Sequence, residues 1–138
     1  SDLAALKARI DVVPVSLVLA QASLESGWGS SRFAREGNNL FGMRCYSKGC
    51  GIVPKRRPAG ANFEVTRFDT LADCFVAYLK NLNTHTAYAE LRRIRANLRE
   101  QNAEVTGYRL APGLVRYSEE GWNYVDKIQS FISSNRLD

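Results

Sequence analysis

The sequence predicts a single α+β domain, mostly helical, with one small β-hairpin early in the chain. Apolar residues recur at helical spacing over most of the chain, whereas strand-like alternation is confined to residues 43–68. A chain of 138 residues is long enough to bury roughly two thirds of its unfolded surface in one core. This order of elements suits a domain of two lobes with a cleft.

Composition is that of an ordinary soluble globular protein, with 45% hydrophobic and 24% charged residues. No stretch reaches the ~20 apolar residues that a membrane span requires. The chain opens on Ser1-Asp2 without a signal peptide, which indicates a mature or trimmed fragment of a longer protein.

The net charge of +5 favours an anionic partner such as nucleic acid, anionic lipid or acidic cell wall. Basic residues gather in the run Lys55–Arg57 and on a predicted helix that carries Arg92, Arg93, Arg95 and Arg99. Neither cluster is interleaved with aromatic residues or belongs to a recognisable nucleic-acid module. We interpret both clusters as solvated faces and expect no nucleic-acid partner.

The first predicted elements are a short amphipathic helix and a central buried helix. The opening helix is marked by Leu3, Leu6 and Ile10. Residues 12–24 carry no charge, and Pro14 suits a first helical turn. A helix that is apolar on nearly every side is a buried one, and its predicted inner face follows helical spacing through Leu17, Ala20, Leu24 and Trp28.

Glu25 stands at the end of this central helix, just before the stop signals Gly27 and Gly29. An apolar surround and the negative end of the helix dipole both raise the pKa of a carboxyl group. A raised pKa keeps a carboxylic acid protonated and able to donate near neutral pH. The position therefore makes Glu25 a candidate general acid. The alternative is a solvated helix-end glutamate, which is commoner.

One or two helical turns over residues 30–36 and a break at residues 37–39 lead into the predicted β part. We expect strands at 52–53 and 62–68, joined by a loop at 55–61. Alternation places Phe63 and Val65 on one face of the second strand and Glu64 and Thr66 on the other. Periodicity does not decide whether Glu64 faces solvent or the groove.

The rest of the chain predicts three helices. Thr70 and Asp73 form a capping box, and the helix that follows has one apolar face: Leu71, Cys74, Phe75, Tyr78, Leu79 and Leu82. The next helix covers 87–101 and turns four residues inward: Tyr88, Leu91, Ile94 and Leu98. The last helix is defined by Trp122, Val125, Ile128 and Ile132.

The three cysteines point to a disulfide rather than a metal site. Cys45 and Cys50 enclose a turn-like run, so a small disulfide loop is feasible in an exported domain. Their spacing, without clustered histidines, is a poor zinc site. Cys74 lies in an apolar stripe and is predicted to be a buried free thiol. The single histidine, His85, is interpreted as a turn or helix-end residue.

Two sequence blocks carry a family resemblance. The run AQASLESGWG at residues 20–29, with Phe33-Ala34 and NLFG at 39–42, resembles the signature of bacterial cell-wall glucosaminidases, glycoside hydrolase family 73. Downstream, YSEEGWNYVDKI at 117–128 resembles the closing motif of that family. The resemblance spans Val12 to Ile132 and is greatest to the Bax-like members of Gram-negative bacteria.

The resemblance implies a lysozyme-like fold and an endo-β-N-acetylglucosaminidase that hydrolyses the β-1,4 bond after N-acetylglucosamine in peptidoglycan. It makes Glu25 the acid. A second carboxylate lies in a β-hairpin of the family, and we carry that role to Glu64, 39 positions after Glu25. Glu64 is then either the base for an attacking water or a stabiliser of the oxocarbenium-like centre, and attack by the carbonyl oxygen of the substrate's own 2-acetamido group is a third possibility. A solvated strand glutamate is the alternative. Tyr117 takes the place of an active-site tyrosine, although the usual Tyr-Ala-Thr-Asp is Tyr-Ser-Glu-Glu here; its alternative is a buried ring.

Five further residues in the matching motifs are expected to bind substrate: Trp28, Asn39, Phe41, Gly42 and Tyr124. The alternative for residues 40–42 is core packing, which we favour for Leu40. We expect one catalytic domain over 1–138, a monomer that acts on peptidoglycan strands without metal or other cofactor. The resemblance and the possible disulfide also imply export to the periplasm or cell envelope of a Gram-negative bacterium.

Other functions remain open on sequence alone. A muramidase or lytic transglycosylase also places a Glu-Ser pair at a helix end, but transglycosylases follow it with Gly-Leu-Met-Gln where this chain has Asn-Leu-Phe-Gly. A wall-binding module that lacks catalysis is the alternative outside enzymes. The separation of the two carboxylates would distinguish inversion from retention, and the sequence does not give it.

Overall fold

The computed structural model describes Leu3 and residues 11–138. Most of the predicted opening helix, including Leu6 and Ile10, lies outside these residues. In the described part, the α-helices are α1 Val15–Ser26, α2 Arg32–Gly37, α3 Leu71–Thr84, α4 Ala89–Glu100, α5 Gly107–Leu110 and α6 Trp122–Ser134. The strands are β1 Arg44–Cys45, β2 Gly51–Ile52 and β3 Glu64–Thr66. The predicted class, mostly helical with a small antiparallel sheet, is confirmed.

The chain divides into two compact units. The helical unit comprises, in the described part of the chain, residues 11–21 and 79–138. The sheet unit comprises residues 22–78, and both candidate carboxylates belong to it.

The core of the helical unit forms around a 3-10 helix, Ala111–Leu114. Helices α4 and α6 both pack on this segment, and α5 packs on α6. Gly113 permits the closest of these approaches, since a β-carbon there would lie 2.4 Å from Leu91 Cα. The apolar side chains with no exposed surface in this core are Leu82, Leu91, Leu110, Ala111, Leu114 and Ile128.

Arg95 corrects the prediction that the arginines of α4 form a solvated face. Its side chain is 1% exposed and forms an ion pair with Asp11 over 3.3 Å. It also donates to the Val12 carbonyl oxygen at 3.1 Å and to Asn83 Oδ1 at 2.9 Å. A buried cation needs such partners. Arg95 thus ties α4 to the residues just before α1, a role that helical periodicity does not reveal.

The sheet of the other unit has three strands in the order β1–β3–β2, all antiparallel. The predicted hairpin is present as β2 and β3, although β2 begins one residue earlier than expected and β3 is shorter than expected. The sequence did not predict β1, which pairs Arg44 with Val65 and Cys45 with Glu64. Two residues are too few for alternation to indicate a strand.

Helix α1 is buried on one side only, which corrects the prediction of a helix buried nearly all round. Leu17 and Ala20 have no exposed surface, whereas Leu19 is 46% and Leu24 39% exposed. Trp28 does not extend the inner face because the helix ends at Ser26 and the chain then turns through positive φ at Gly27.

The later helices follow the predicted inner faces in part. Thr70 Oγ1 accepts from the Asp73 N–H at 3.0 Å, so the predicted N-cap of α3 is present. Cys74 and Tyr78 are fully buried, but Leu71 at the start of the same stripe is 48% exposed. At the start of α6, Trp122 is likewise exposed.

Candidate active site

Glu25 is the penultimate residue of α1 and is half-buried. The turn that follows is fixed by hydrogen bonds. Ser26 Oγ donates to the Ala22 carbonyl oxygen at 2.5 Å and accepts from the Gly29 N–H at 2.7 Å. The Trp28 N–H donates to the Ser23 carbonyl oxygen at 2.9 Å. The helix end that carries Glu25 is therefore a defined structure, not a fraying terminus.

Gly42 lies against the Glu25 carboxylate. A β-carbon on Gly42 would stand 2.8 Å from Glu25 Oε2, which is closer than real β-carbons approach a heavy atom. Gly42 also has φ +67°, a left-handed conformation that disfavours other residues. The structure thus brings together the predicted acid and a predicted substrate-binding glycine from the second block of the motif.

Asn39 holds the loop that presents Gly42. Its side-chain amide donates to the carbonyl oxygens of Met43 and Thr66, both at 2.9 Å. Its Oδ1 accepts from the N–H groups of Phe41 and Met43, both at 3.2 Å. The side chain is 2% exposed. We predicted that Asn39 contacts substrate, but its buried amide instead gives it a role in shaping the loop.

Phe41 is a core residue, which corrects its predicted place at the rim of a groove. It has no exposed surface and stacks on Tyr78 with ring centroids 3.9 Å apart. Phe75 packs edge-on against the same ring at 5.5 Å. Burial of an aromatic ring in this packing leaves no surface for a sugar. Trp28, in contrast, is 73% exposed and remains a candidate for substrate contact.

Glu64 faces neither open solvent nor an empty groove. Its Oε2 accepts from the Gly49 N–H and its Oε1 from the Gly51 N–H, each at 2.9 Å. These two bonds hold the pKa of Glu64 below its ordinary value, and the charges of Arg57 and Lys48 act in the same direction. The side chain is 5% exposed. Glu64 is therefore an ionised carboxylate that binds the backbone of a neighbouring loop.

That loop contains a disulfide between Cys45 and Cys50, as the spacing suggested. The Cys50 N–H donates to the Ser47 carbonyl oxygen at 3.0 Å, which closes a turn inside the loop. Because Cys45 also pairs with Glu64 across β1 and β3, the loop is held covalently and by the carboxylate. Cys74 is a buried free cysteine, and burial raises the pKa of its thiol.

Tyr117 and Tyr124 belong to the helical unit. Their rings are stacked at 5.6 Å, and Tyr88 lies tilted against Tyr117 at 5.8 Å. The Tyr124 hydroxyl accepts from Gln21 Nε2 at 3.1 Å, and Tyr124 is 3% exposed. Tyr124 is therefore a buried residue that stacks on Tyr117, and its expected contact with substrate stays a prediction. Tyr117 itself is half-buried.

Sequence reasoning missed the glycine partners of Glu64. Gly49 and Gly51 flank Cys50, and this Gly-Cys-Gly run was the available signal for a loop whose N–H groups bind an anion. It also missed Ser26, whose hydroxyl fixes the turn after Glu25.

Two features are absent from the part of the chain that the structure describes. None of the helices there combines the length and apolar character that crossing a bilayer demands. That same part of the chain contains no group of three or more histidine, cysteine, aspartate and glutamate residues suited to hold a metal ion.

The sequence model of one protein family, described as "Glucosaminidase: Mannosyl-glycoprotein endo-beta-N-acetylglucosaminidase", matches residues 1–137. Protein bax of Escherichia coli (strain K12) is 38% identical over 128 residues, which are 93% of this chain and 45% of that protein. Exo-glucosaminidase LytG of Bacillus subtilis (strain 168) is 27% identical over 135 residues, 89% of this chain and 44% of LytG. The chain thus spans less than half the length of each relative.

A crystal structure of a peptidoglycan hydrolase from Sphingomonas sp. A1 has a similar fold. The TM-score is 0.65 at 27% identity, with 98% of this chain and 85% of that chain covered. This likeness, together with the helices and small sheet described above, confirms the predicted lysozyme-like α+β class.

Proposed function

The chain belongs to the glucosaminidase family, and we propose that it is a peptidoglycan hydrolase that cleaves the β-1,4 bond after N-acetylglucosamine. Support comes from the family model over residues 1–137 and from the similarity to the crystal structure of a peptidoglycan hydrolase. LytG, which is named an exo-glucosaminidase, supports the same bond specificity. We assign the activity to one catalytic domain over residues 1–138.

Glu25 is the general acid in this proposal. The observation that carries the assignment is its half-buried carboxylate at the end of α1, held against the backbone of Gly42. A glycosidic oxygen needs a proton as its bond to the anomeric carbon breaks, and a positioned carboxylic acid supplies it.

Glu64 acts by positioning rather than as a base. A base must accept a proton from water, but the N–H groups that both oxygens of Glu64 accept stabilise its ionised form. Its lowered pKa also makes proton uptake unfavourable. We therefore assign Glu64 to the shape and charge of the loop at residues 45–51, in place of the base role that the sequence suggested.

The substrate supplies the nucleophile in this scheme. The carbonyl oxygen of the 2-acetamido group bonds to the anomeric carbon while the bond to the leaving oxygen breaks, and that oxygen takes the proton of Glu25. The new bond closes a ring between the acetamido group and the anomeric carbon. Water then adds to the anomeric carbon and gives a proton back to Glu25, and the bond between that carbon and the acetamido oxygen breaks. Two displacements at one carbon retain its configuration.

The proposed site of action is the cell envelope, where peptidoglycan lies. The disulfide between Cys45 and Cys50 fits this location because such bonds persist in oxidising compartments. Tyr117 is proposed to line the active site, and Trp28 to contact the glycan through its exposed ring.

The deciding experiment is mass spectrometry of fragments that the protein releases from purified sacculi. Reducing-end N-acetylglucosamine would support the proposal, whereas reducing-end N-acetylmuramic acid would indicate a muramidase and an anhydro sugar a lytic transglycosylase. Binding to sacculi without any release would indicate a binding module. NMR of the fresh product would give its anomeric configuration, and inversion would exclude attack by the acetamido group.

A further inference from the structure

The sheet unit carries a cluster of cations with no acid among them in sequence. Residues 44–57 include five basic residues and no aspartate or glutamate. We call this set the basic surface: Arg44, Lys48, Lys55, Arg56 and Arg57. The whole chain has a net charge of +5, so this short segment contains as much positive charge as the protein has in excess.

Part of the basic surface gathers around Phe63, just before β3, and Glu64, the first residue of β3. The Arg44 guanidinium lies over the Phe63 ring, 4.0 Å from its centroid. Arg57 donates to the Phe63 carbonyl oxygen at 3.0 Å. Lys48 and Arg57 both lie close enough to Glu64 to help lower its pKa. Three cations from separate parts of the segment thus converge on residues 63 and 64.

Glu64 offsets only part of the charge of these five cations. Glu64 is the one acid in residues 44–67, and its oxygens are directed to the N–H groups of Gly49 and Gly51. No ion pair joins the five cations to any acidic residue in the described part of the chain. Lys48, Lys55 and Arg56 are exposed. Such a field attracts a partner of opposite charge.

An exposed aromatic ring lies within the same segment. Tyr46 is 67% exposed and belongs to the disulfide loop that also carries Lys48. A flat ring beside cations offers a stacking face for a sugar and charge partners for acidic groups. This combination fits an acidic glycan better than it fits a neutral one.

We propose that the basic surface binds the carboxylates of the peptide arms of peptidoglycan, so that the protein favours peptide-bearing strands over neutral glycan. The choice of partner rests on the proposed function. Exposed ion pairs each strengthen binding by about 1.4- to 5.4-fold and are screened by salt. The cations therefore add affinity and salt dependence to substrate binding and leave the chemical step unchanged.

The test compares two triple variants with equal change in charge. Lys48→Gln/Lys55→Gln/Arg56→Gln removes three exposed cations of the basic surface. Its control removes three exposed cations of the helical unit: Lys80→Gln/Arg116→Gln/Arg136→Gln. Both are made in the Glu25→Gln background, and binding to purified sacculi is measured by sedimentation over a range of NaCl concentrations. Binding is thereby read without hydrolysis.

We expect the first triple variant to bind sacculi roughly three- to 150-fold more weakly than the control, with a flatter salt dependence. Sacculi whose carboxylates have been amidated should bind both variants equally, as should neutral N-acetylglucosamine oligomers. Equal affinity of the two variants for untreated sacculi would overturn the proposal. The proposal would also fail if the first triple variant lost affinity for duplex DNA but not for sacculi, because the basic surface would then bind nucleic acid.

The result is separable from that of the proposed function. If the unmodified protein releases no fragments but the first triple variant loses affinity for sacculi, binding by the basic surface is supported and the hydrolase activity is refuted. If fragments are released and the two triple variants bind with equal affinity, the hydrolase activity is supported and binding by the basic surface is refuted.

Discussion

The Glu25 carboxylate occupies the space that a side chain at Gly42 would need: a β-carbon on Gly42 would lie 2.8 Å from Glu25 Oε2. The two residues come from the two separate blocks of the sequence motif, so the motif encodes one structural unit. The left-handed φ of Gly42 disfavours a side chain there, and a β-carbon would displace the carboxylate.

We predict that Gly42→Ala lowers activity by about 100-fold, because a displacement of about 1 Å at a catalytic group has a cost of that size. The control is Gly60→Ala, since Gly60 also has positive φ but has open space around its β-carbon position. Both variants share a backbone strain of roughly 1–2 kcal/mol. Equal activity of the two would show that the contact with Glu25 does not matter. Steady-state rates on sacculi and thermal melts provide the comparison.

Glu25→Gln should abolish hydrolysis and leave the fold intact. Gln keeps the size of the side chain but cannot give up a proton, and general acid–base catalysis is typically worth ~10²–10⁴-fold. Glu36→Gln is the matched control because Glu36 is exposed on α2. Release of muropeptides is measured for both. A Glu25→Gln rate within a few fold of the unmodified protein would refute the assignment.

The stability of the sheet unit should depend on pH through Glu64. Its pKa is lowered in the folded protein, chiefly by the N–H groups of Gly49 and Gly51. Stabilisation by Glu64 is therefore fully present above the ordinary pKa of about 4.3 and is lost as pH falls through the lowered pKa. We expect Glu64→Gln to melt at a lower temperature near neutral pH, because its amide cannot accept both N–H groups.

In strong acid the difference in melting temperature between Glu64→Gln and the unmodified protein should vanish. Asp69→Asn serves as control, since Asp69 is exposed in the same unit. Activity gives a second readout, because a displaced general base would let azide restore turnover and form a glycosyl azide of inverted configuration. Rescue of that kind would return Glu64 to the base role.

Cys45 and Cys50 should be oxidised in exported protein while Cys74 stays reduced. Alkylation of the folded protein should leave all three cysteines unmodified, because burial raises the pKa of the Cys74 thiol and shields it. Reduction before alkylation should then add label at positions 45 and 50. Mass spectrometry of the peptides measures both states. Label at 45 and 50 without prior reduction would contradict the disulfide.

The sequence anticipated those features that depend on neighbours along the chain. The helix end at Ser26, the stop at Gly27 and the cap at Thr70 are local, and each is present. The placement of Glu25 at a helix end was predictable for the same reason. Its contact with Gly42 was not, since it depends on a loop 17 positions away.

Features set by distant backbone escaped prediction. The alternation of residues did not show which way the Glu64 side chain faces. Its orientation is set by the N–H groups that it accepts, 13 and 15 positions away. Asn39 was misassigned because its amide bonds Thr66, 27 positions on. Arg95 was predicted to face solvent because the sequence of a highly charged helix does not distinguish a buried arginine from an exposed one. In each case a polar side chain bonds to a backbone group far along the chain, and the side-chain pattern does not indicate such a partner.

The stacked rings of Tyr117 and Tyr124 allow a test of which tyrosine contributes to stability and which to activity. Tyr124→Phe removes the hydroxyl that accepts from Gln21 Nε2, so it should lower the stability of the fold by about 0.5–1.5 kcal/mol. Tyr117→Phe preserves the ring that stacks on Tyr124 and deletes only the hydroxyl. If Tyr117 lines the active site, this variant loses far more activity than any change in its melting temperature accounts for. Parallel melts and rates on sacculi test both variants, and a Tyr117→Phe protein that is fully active would reduce Tyr117 to a packing residue.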